Sequence, residues 1–300
     1  MELIKTKKSK SISKKTQKFK SLNCSPCVKN KKVIKTSCMT QEVLQKIKDE
    51  YNKDHEDQII ATRPALIWHE LRMKLDCKDE RCWIKEIDDP NLRTQVKNQL
   101  FAPEHPPEWI QNKNEWLSNF DIDLVMKQYE DKDKTFKYLA TAPMDYDFVV
   151  DSSKKTCYEE DMCKFDLKEM LDSGKHKFAV IFNLDKHDES GSHWISLFIN
   201  ADRKFIMFFD SANGFLPGGV KKFVNHVKAE GQKNGIKFRF MRNHKQHQRS
   251  NTECGVYSIH FVVEMLHNAD RAIELFINGY IPDNKIEKYR KIYFNEPEKA

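Results

Sequence analysis

The stretch His247–Leu266, HQRSNTECGVYSIHFVVEML, decides how the rest of the chain is read. It is polar as far as Glu253. From Cys254 it becomes a run in which Val256, Tyr257, Ile259, Phe261, Val262, Val263 and Met265 leave almost no polar face. A helix apolar on nearly every side is one buried against a sheet. Cys254 then stands in its first turn, where unpaired backbone N–H groups and the helix dipole favour a thiolate. The same N–H groups can receive an oxyanion. Gln248 lies six residues ahead and Gly255 follows at once.

A thiolate nucleophile needs a base. The block Ser192–Ser211, SHWISLFINADRKFIMFFDS, offers one. HWISLFIN and KFIMFFD read as strands joined by a tight turn at Asn200-Ala201-Asp202-Arg203. Antiparallel pairing across so short a turn sets the start of one strand beside the end of the next. His193 and Asp210 are therefore neighbours by topology, and an acid so placed can fix the imidazole tautomer and support the imidazolium. The competing histidines are His226, on an amphipathic helix, His244, His247, His260, inside the buried helix, and His267. His247 is close to Cys254 in sequence, but no acid is placed to orient it.

Working outward, KFAVIFNLD and IKFRFMRN read as further strands, and VKKFVNHVKAEGQK, DRAIELFINGY and NKIEKYRKIYF as helices. LKEMLDSG is a short helix closed by Gly174. DIDLVMKQYEDK is a helix from about Asp121. Nearer the N-terminus, Thr40 is the expected cap of VLQKIKDEYNK, and Pro64 opens ALIWHELRMKLD. Pro90, Pro103, Pro106 and Pro107 mark residues 89–120 as a connecting segment. Four of the five tryptophans, Trp68, Trp83, Trp109 and Trp116, fall in or near it. A small satellite core explains them better than a surface that grips a partner, since tryptophan is usually well buried. No repeat is present.

The formal net charge is +7 over 300 residues. Residues 1–40 hold twelve lysines against the single acid Glu2, a surplus of +11, so the other 260 residues sum to about −4. The basic character belongs to a tail. Residues 1–37, rich in lysine and serine, read as disordered. Such a tail binds nucleic acid or another polyanion by counterion release, or serves as a solubilising extension. It has no apolar signal region, and no apolar run approaches the ~18 residues of a membrane span. The eight cysteines are expected to be free thiols of a reducing compartment. Cys24 and Cys27 have metal-ligand spacing but no second pair, and Cys77 and Cys82 read as buried structural thiols. No metal and no cofactor is expected.

The order HW, FDS and Q-x5-CG resembles the SUMO-protease and adenovirus-protease superfamily of cysteine peptidases. HQRSNTECGVYS, FFDSANGFLPGGV and WLSNFDIDLVMKQYE are most similar to its polyprotein-processing branch from large nucleocytoplasmic DNA viruses, the African swine fever virus type. The likeness covers about residues 100–295 and weakens toward residue 60. It implies an α+β fold: a papain-like, SUMO-protease-like core with a central mixed sheet packed by helices, plus an N-terminal helical arm. The corresponding division is a tail over 1–38, an arm over 39–120 and a catalytic domain over 121–300. The resemblance implies Cys254 as nucleophile, His193 as general base and then acid, and Asp210 as orienting acid, a position where some viral relatives carry Asn. It implies Gln248 as oxyanion donor with the Cys254 N–H, and Trp194 as cleft wall, a residue that plain core packing explains equally well.

By resemblance the substrate is a viral structural polyprotein cut at Gly-Gly sites, in the virion and the host cytoplasm. Removal of SUMO or another ubiquitin-like modifier uses the same residues. So does an acetyltransferase that carries its acyl group on Cys254. A degenerate binding module is disfavoured, because all four site residues are intact.

Overall fold

A computed structural model of the chain describes residues 19–28, 30–151, 153 and 156–298. About half of the lysine-rich tail, residues 1–18 and residue 29, lies outside them. The rest of that tail departs from the expected disorder. Phe19 packs against Trp68 and Trp83. A bridge joins Cys24 to Phe101, and Asn23 binds Asn295. Apolar Phe19, Leu22 and Val28 have a core to join, which a local count of lysines does not reveal.

Thr40 caps α1 (Gln41–Asp54), accepting from the Val43 N–H. Pro64 opens α2 (Pro64–Lys74). The segment expected to be a mere connection holds a third helix, α3 (Pro90–Leu100). Pro90 starts it, with the Asp89 carboxylate accepting from Asn91 and Leu92. These elements close on a core of their own around Leu44, Ile47, Trp68, Leu71, Trp83 and Leu100. The cysteines depart from the expected free thiols. Cys24–Cys38, Cys77–Cys82 and Cys157–Cys163 are disulfides, and only Cys27 and Cys254 are free. Folding brings Cys24 to Cys38 and not to Cys27, a pairing that sequence spacing does not disclose.

Ser118 and Asp121 form a reciprocal capping box that starts α4 (Asn119–Lys132). The strands follow: β1 (Phe136–Ala142), the short β2 (Val149–Asp151) and β3 (Thr156–Cys157), then, after α5 (Glu160–Cys163) and α6 (Leu167–Asp172), β4 (Lys177–Asn183), β5 (Trp194–Asn200) and β6 (Phe205–Phe209). Helix α7 (Gly218–Lys233) leads to β7 (Arg239–Arg242), and α8 (Cys254–His267), α9 (Ala269–Ile277) and α10 (Asp283–Tyr293) close the chain. The sheet runs β1-β4-β5-β6-β7, with parallel outer pairs and antiparallel inner ones.

Residues alternate between its faces. Ala179, Ile181, Phe198, Met207 and Phe209 meet α4 and α8 on one side. Phe178, Val180, Leu197, Ile206 and Phe208 meet α6 and α7 on the other. Cover on both faces is why these strands read as unbroken apolar runs. The first core is tied to the end of α10. Asn295 donates to Ala102 and Asn23, its backbone N–H donates to Pro103, and Arg81 donates to the Glu296 carbonyl at 2.7 Å.

Phe209 lies between the sheet and α8, its ring centroid 5.1 Å from Phe261 and 4.8 Å from Phe276. Phe209→Ala is expected to lower unfolding stability by about 3–5 kcal/mol, read by denaturant titration.

Candidate active site

The β5–β6 register pairs Ser196 with Phe209, so the residues just beyond, His193 and Asp210, face each other at one end of the sheet. His193 Nε2 lies 2.7 Å from Asp210 Oδ1. A carboxylate only accepts, so Nε2 carries the proton and Nδ1 is left to exchange a proton with a sulfur. Asp210 is 3% exposed. Burial works against its charge. The His193 hydrogen bond and the Ala212 and Gly214 N–H groups, at 2.9 and 2.6 Å, outweigh burial and hold the carboxyl below the usual carboxylate range. Gly214 permits this turn, since a Cβ there would stand 2.7 Å from Asp210 Oδ2. Asn243 fixes the Asp210 backbone from both sides, accepting its N–H at 3.1 Å and donating to its carbonyl at 2.7 Å.

Cys254 begins α8 and is 1% exposed. The residue before it, Glu253, gives the helix no side-chain cap, so the first N–H groups stay free for an anion. Burial disfavours charge on His193. Asp210 and the neighbouring Cys254 side chain, acting through hydrogen bonding and charge, more than reverse this and push its pKa from the ordinary 6.5 up to about 9. The structure thus brings together His193, Asp210 and Cys254, from two strand ends and one helix start.

Gln248 is 5% exposed and anchored beside them. Its backbone N–H and that of His247 donate to the Ser211 carbonyl. Its Oε1 accepts from Ser211 Oγ at 2.7 Å, and its Nε2 donates to the Ser250 carbonyl at 2.7 Å. A carbonyl cannot donate, which fixes the amide orientation and leaves one N–H of Nε2 for another acceptor. Trp194 Nε1 donates to the Leu117 carbonyl at 3.0 Å. Its ring lies against the start of α8, where a Cβ on Gly255 would stand 3.3 Å from Trp194 Cδ1. The indole is both core and wall, because it also borders a 420 Å³ cavity with Trp116, Asn119, Pro143, Tyr158 and Asn183.

Two of the competing histidines, His247 and His260, serve the scaffold. His247 is wholly buried between the Phe276 carbonyl and the Ile281 N–H, and burial pulls its pKa down. Burial takes His260 down to about 3. Among the described residues, no group of three or more His, Cys, Asp or Glu side chains could hold a metal ion, and no helix is long and apolar enough to cross a membrane. Sequence reading missed Asn243, Ser211, Asp283 and Arg290. Only the last two left a signal, a seven-residue spacing on one helix.

A mixed sheet with a buried cysteine at a helix start beside a paired histidine defines a SUMO-protease-like cysteine protease. A family model described as YopJ Serine/Threonine acetyltransferase matches residues 116–298, and the chain belongs to that family. It is similar to a protein of Acanthamoeba polyphaga mimivirus named as a thiol protease, 27% identical over 75% of this chain and 72% of the relative. It is also similar to a cysteine protease of African swine fever virus, 27% identical over 75% of this chain and 85% of the relative. The crystal structure of the selenomethionine African swine fever virus protease superposes with a TM-score of 0.62 at 20% identity, covering 94% of this chain and 98% of that one. It shares the fold.

The pH dependence follows from the paired histidine. His193 keeps its proton to about pH 9 and a leaving amine requires that proton, so kcat/KM is expected to hold to about pH 9 and fall above it. Asp210→Asn removes one of the two side chains that raise the histidine and leaves Cys254 as the other. The alkaline limb should then move down toward 6.5, read from the same profile.

Proposed function

We propose that the chain is an endopeptidase that cuts peptide bonds at Gly-Gly-type sites and matures the structural polyproteins of a virus. Cys254 is the nucleophile, His193 the general base and then acid, Asp210 the orienting acid and Gln248 an oxyanion donor. The observation that carries this reading is the 2.7 Å His193–Asp210 hydrogen bond beside a cysteine at an uncapped helix start.

The thiolate adds to the scissile carbonyl carbon, and the π electron pair moves to oxygen. That oxyanion accepts from the Cys254 N–H and the remaining Gln248 N–H. The His193 imidazolium gives its proton to the leaving nitrogen, the C–N bond breaks and a thioester remains. Water then loses a proton to His193 and adds to the thioester, and collapse expels the thiolate. Trp194, flat against the start of α8, narrows the approach to Cys254 and suits residues without side chains. Residues from about 121 onward form the catalytic part, with 39–120 as its arm. The protein works in the virion and host cytoplasm, with the lysine-rich tail on nucleic acid.

A second reading has its own support. Relatives from African swine fever virus isolates, 26% identical over 276 residues, are named SUMO-1 cysteine proteases. On that reading the acyl group comes from a ubiquitin-like modifier and the leaving amine from a lysine. Acetyl transfer, which the family description names, differs in the acyl donor and acceptor, not in the thioester.

The test sets Gly-Gly-Xaa peptides, SUMO and ubiquitin conjugates, and acetyl-CoA before the same enzyme. Peptide cleavage supports the endopeptidase, processing of conjugates alone replaces it with the deconjugase, and acetyl-CoA turnover alone replaces both. Cys254→Ser should abolish turnover and labelling by an electrophilic Gly-Gly probe. Gln248→Ala should retain activity lowered ~10²–10³-fold in kcat.

A further inference from the structure

Five residues separate Gln248 from Cys254, and their conformation sets where an oxyanion donor stands relative to the sulfur. No regular element holds that loop. Its partners lie on α10, which comes last in the chain. The Asp283 carboxylate accepts from the backbone N–H of Arg249 at 3.0 Å and of Ser250 at 2.9 Å. The Tyr257 hydroxyl lies 3.0 Å from the same carboxylate and 2.8 Å from the Ile281 carbonyl, which brings Asp283 up to the first turn of α8. Ser250 is the residue whose carbonyl receives the Gln248 side-chain amide. Asp283 thus sets the position of Ser250, and Ser250 sets that of Gln248.

The other end of the loop is held from the same helix. Arg290 Nε donates to Glu253 Oε2 at 2.8 Å, and its Nη2 donates to the Thr252 carbonyl at 2.8 Å. Both side chains of this ion pair are buried, at 5% and 1%. Arg290 also donates to the Glu115 carbonyl at 2.7 Å and stacks over Trp109, 4.5 Å from the ring centroid. Glu253 occupies the cap position of α8 yet makes no cap bond. Its carboxylate is drawn to Arg290, away from the N–H groups that an oxyanion needs.

Seven residues are two helical turns, so Asp283 and Arg290 share one face, about 10 Å apart along the axis. Ile286 and Tyr293 lie buried on that face.

We propose that α10 is a splint for the catalytic loop: Asp283 positions the oxyanion donor Gln248, and Arg290 positions the start of α8 and keeps the Glu253 carboxylate off it. This rests on reading Gln248 and Cys254 as oxyanion donor and nucleophile. Neither Asp283 nor Arg290 touches substrate. Both act through other residues.

The test is a double-mutant cycle on full-length enzyme with a Gly-Gly-Xaa peptide or whichever substrate it turns over. Asp283→Ala, which removes the acceptor of both N–H groups, is expected to lower kcat at least about tenfold with little change in KM, as small misplacements of catalytic groups do. Alkylation of Cys254 by iodoacetamide, which forms no oxyanion, should keep its rate. In a Gln248→Ala background, Asp283→Ala should cost nothing further. Losses that multiply, or an alkylation rate that falls with kcat, overturn the positioning role in favour of general destabilisation. Asp283→Asn keeps an amide oxygen that can accept from both N–H groups and should fall between wild type and Asp283→Ala, which serves if the alanine variant does not fold. For the other end, Arg290→Lys keeps the charge but not the fork that reaches both Glu253 and Thr252, and should lower kcat and the alkylation rate together, with Glu253→Gln added to it restoring both; a loss that Glu253→Gln leaves in place overturns this role in favour of general destabilisation. An Arg290→Lys enzyme with wild-type kcat removes Arg290 from the splint. Full activity in Gln248→Ala alone overturns the site reading itself, and the role of Asp283 with it.

Discussion

The hydrogen bond between His193 and Asp210 is set by strand pairing more than by either side chain. Each residue sits just outside a regular strand, and the register of Ser196 on Phe209 brings the two chain ends together. A slip of one residue would turn Asp210 to the opposite face of the sheet. The register is held by apolar side chains that fill both faces of β5 and β6, so packing tens of ångströms of strand fixes a contact of 2.7 Å. The carboxylate remains charged in that buried place because the His193 hydrogen bond and charge, together with two N–H donors of the turn after it, outweigh burial. A buried acid without them would protonate and lose its hold on the imidazole.

The site was legible where chemistry coincides with local pattern. Cys254 announces itself by the switch from polar loop to fully apolar helix, and His193 and Asp210 by two strands with a four-residue turn between them. The sheet order was less legible. β1, FKYLATA, pairs parallel with β4 across some forty residues, and neither its spacing nor its flanks name that partner. The helix from Pro90 was hidden because a proline that starts a helix looks, one residue at a time, like a proline that ends one. Asn243, which fixes the Asp210 backbone, was beyond reach for a simpler reason: it is one asparagine among many until the sheet places it.

The N-terminal region shows the same division. Its helix starts at Thr40 and Pro64 were set by local chemistry, while its disulfides and its ties to Asn295 and Glu296 are products of the whole fold. Those ties end on the residues directly after α10. Glu104 pairs with Asn295 in a bridge, so first core and last helix meet through backbone as well as side chains. A segment that could pass for an appendage in sequence is thereby joined to the scaffold behind the nucleophile.

Helix α8 carries the clearest trade between stability and chemistry. Ser, Thr, Asp or Asn at position 253 would cap the helix and contribute about 1 kcal/mol. Such a cap would also occupy the N–H groups that the proposed oxyanion needs. Glu253 instead turns to Arg290, and the helix start stays open. The deficit is small beside what α8 gains from its packing. Val256, Ile259, Phe261 and Val262 are fully buried, and each such side chain is worth about 1.5–3 kcal/mol. A helix this deeply embedded holds its first turn without a cap, and that surplus is what lets an unsatisfied helix end persist beside Cys254.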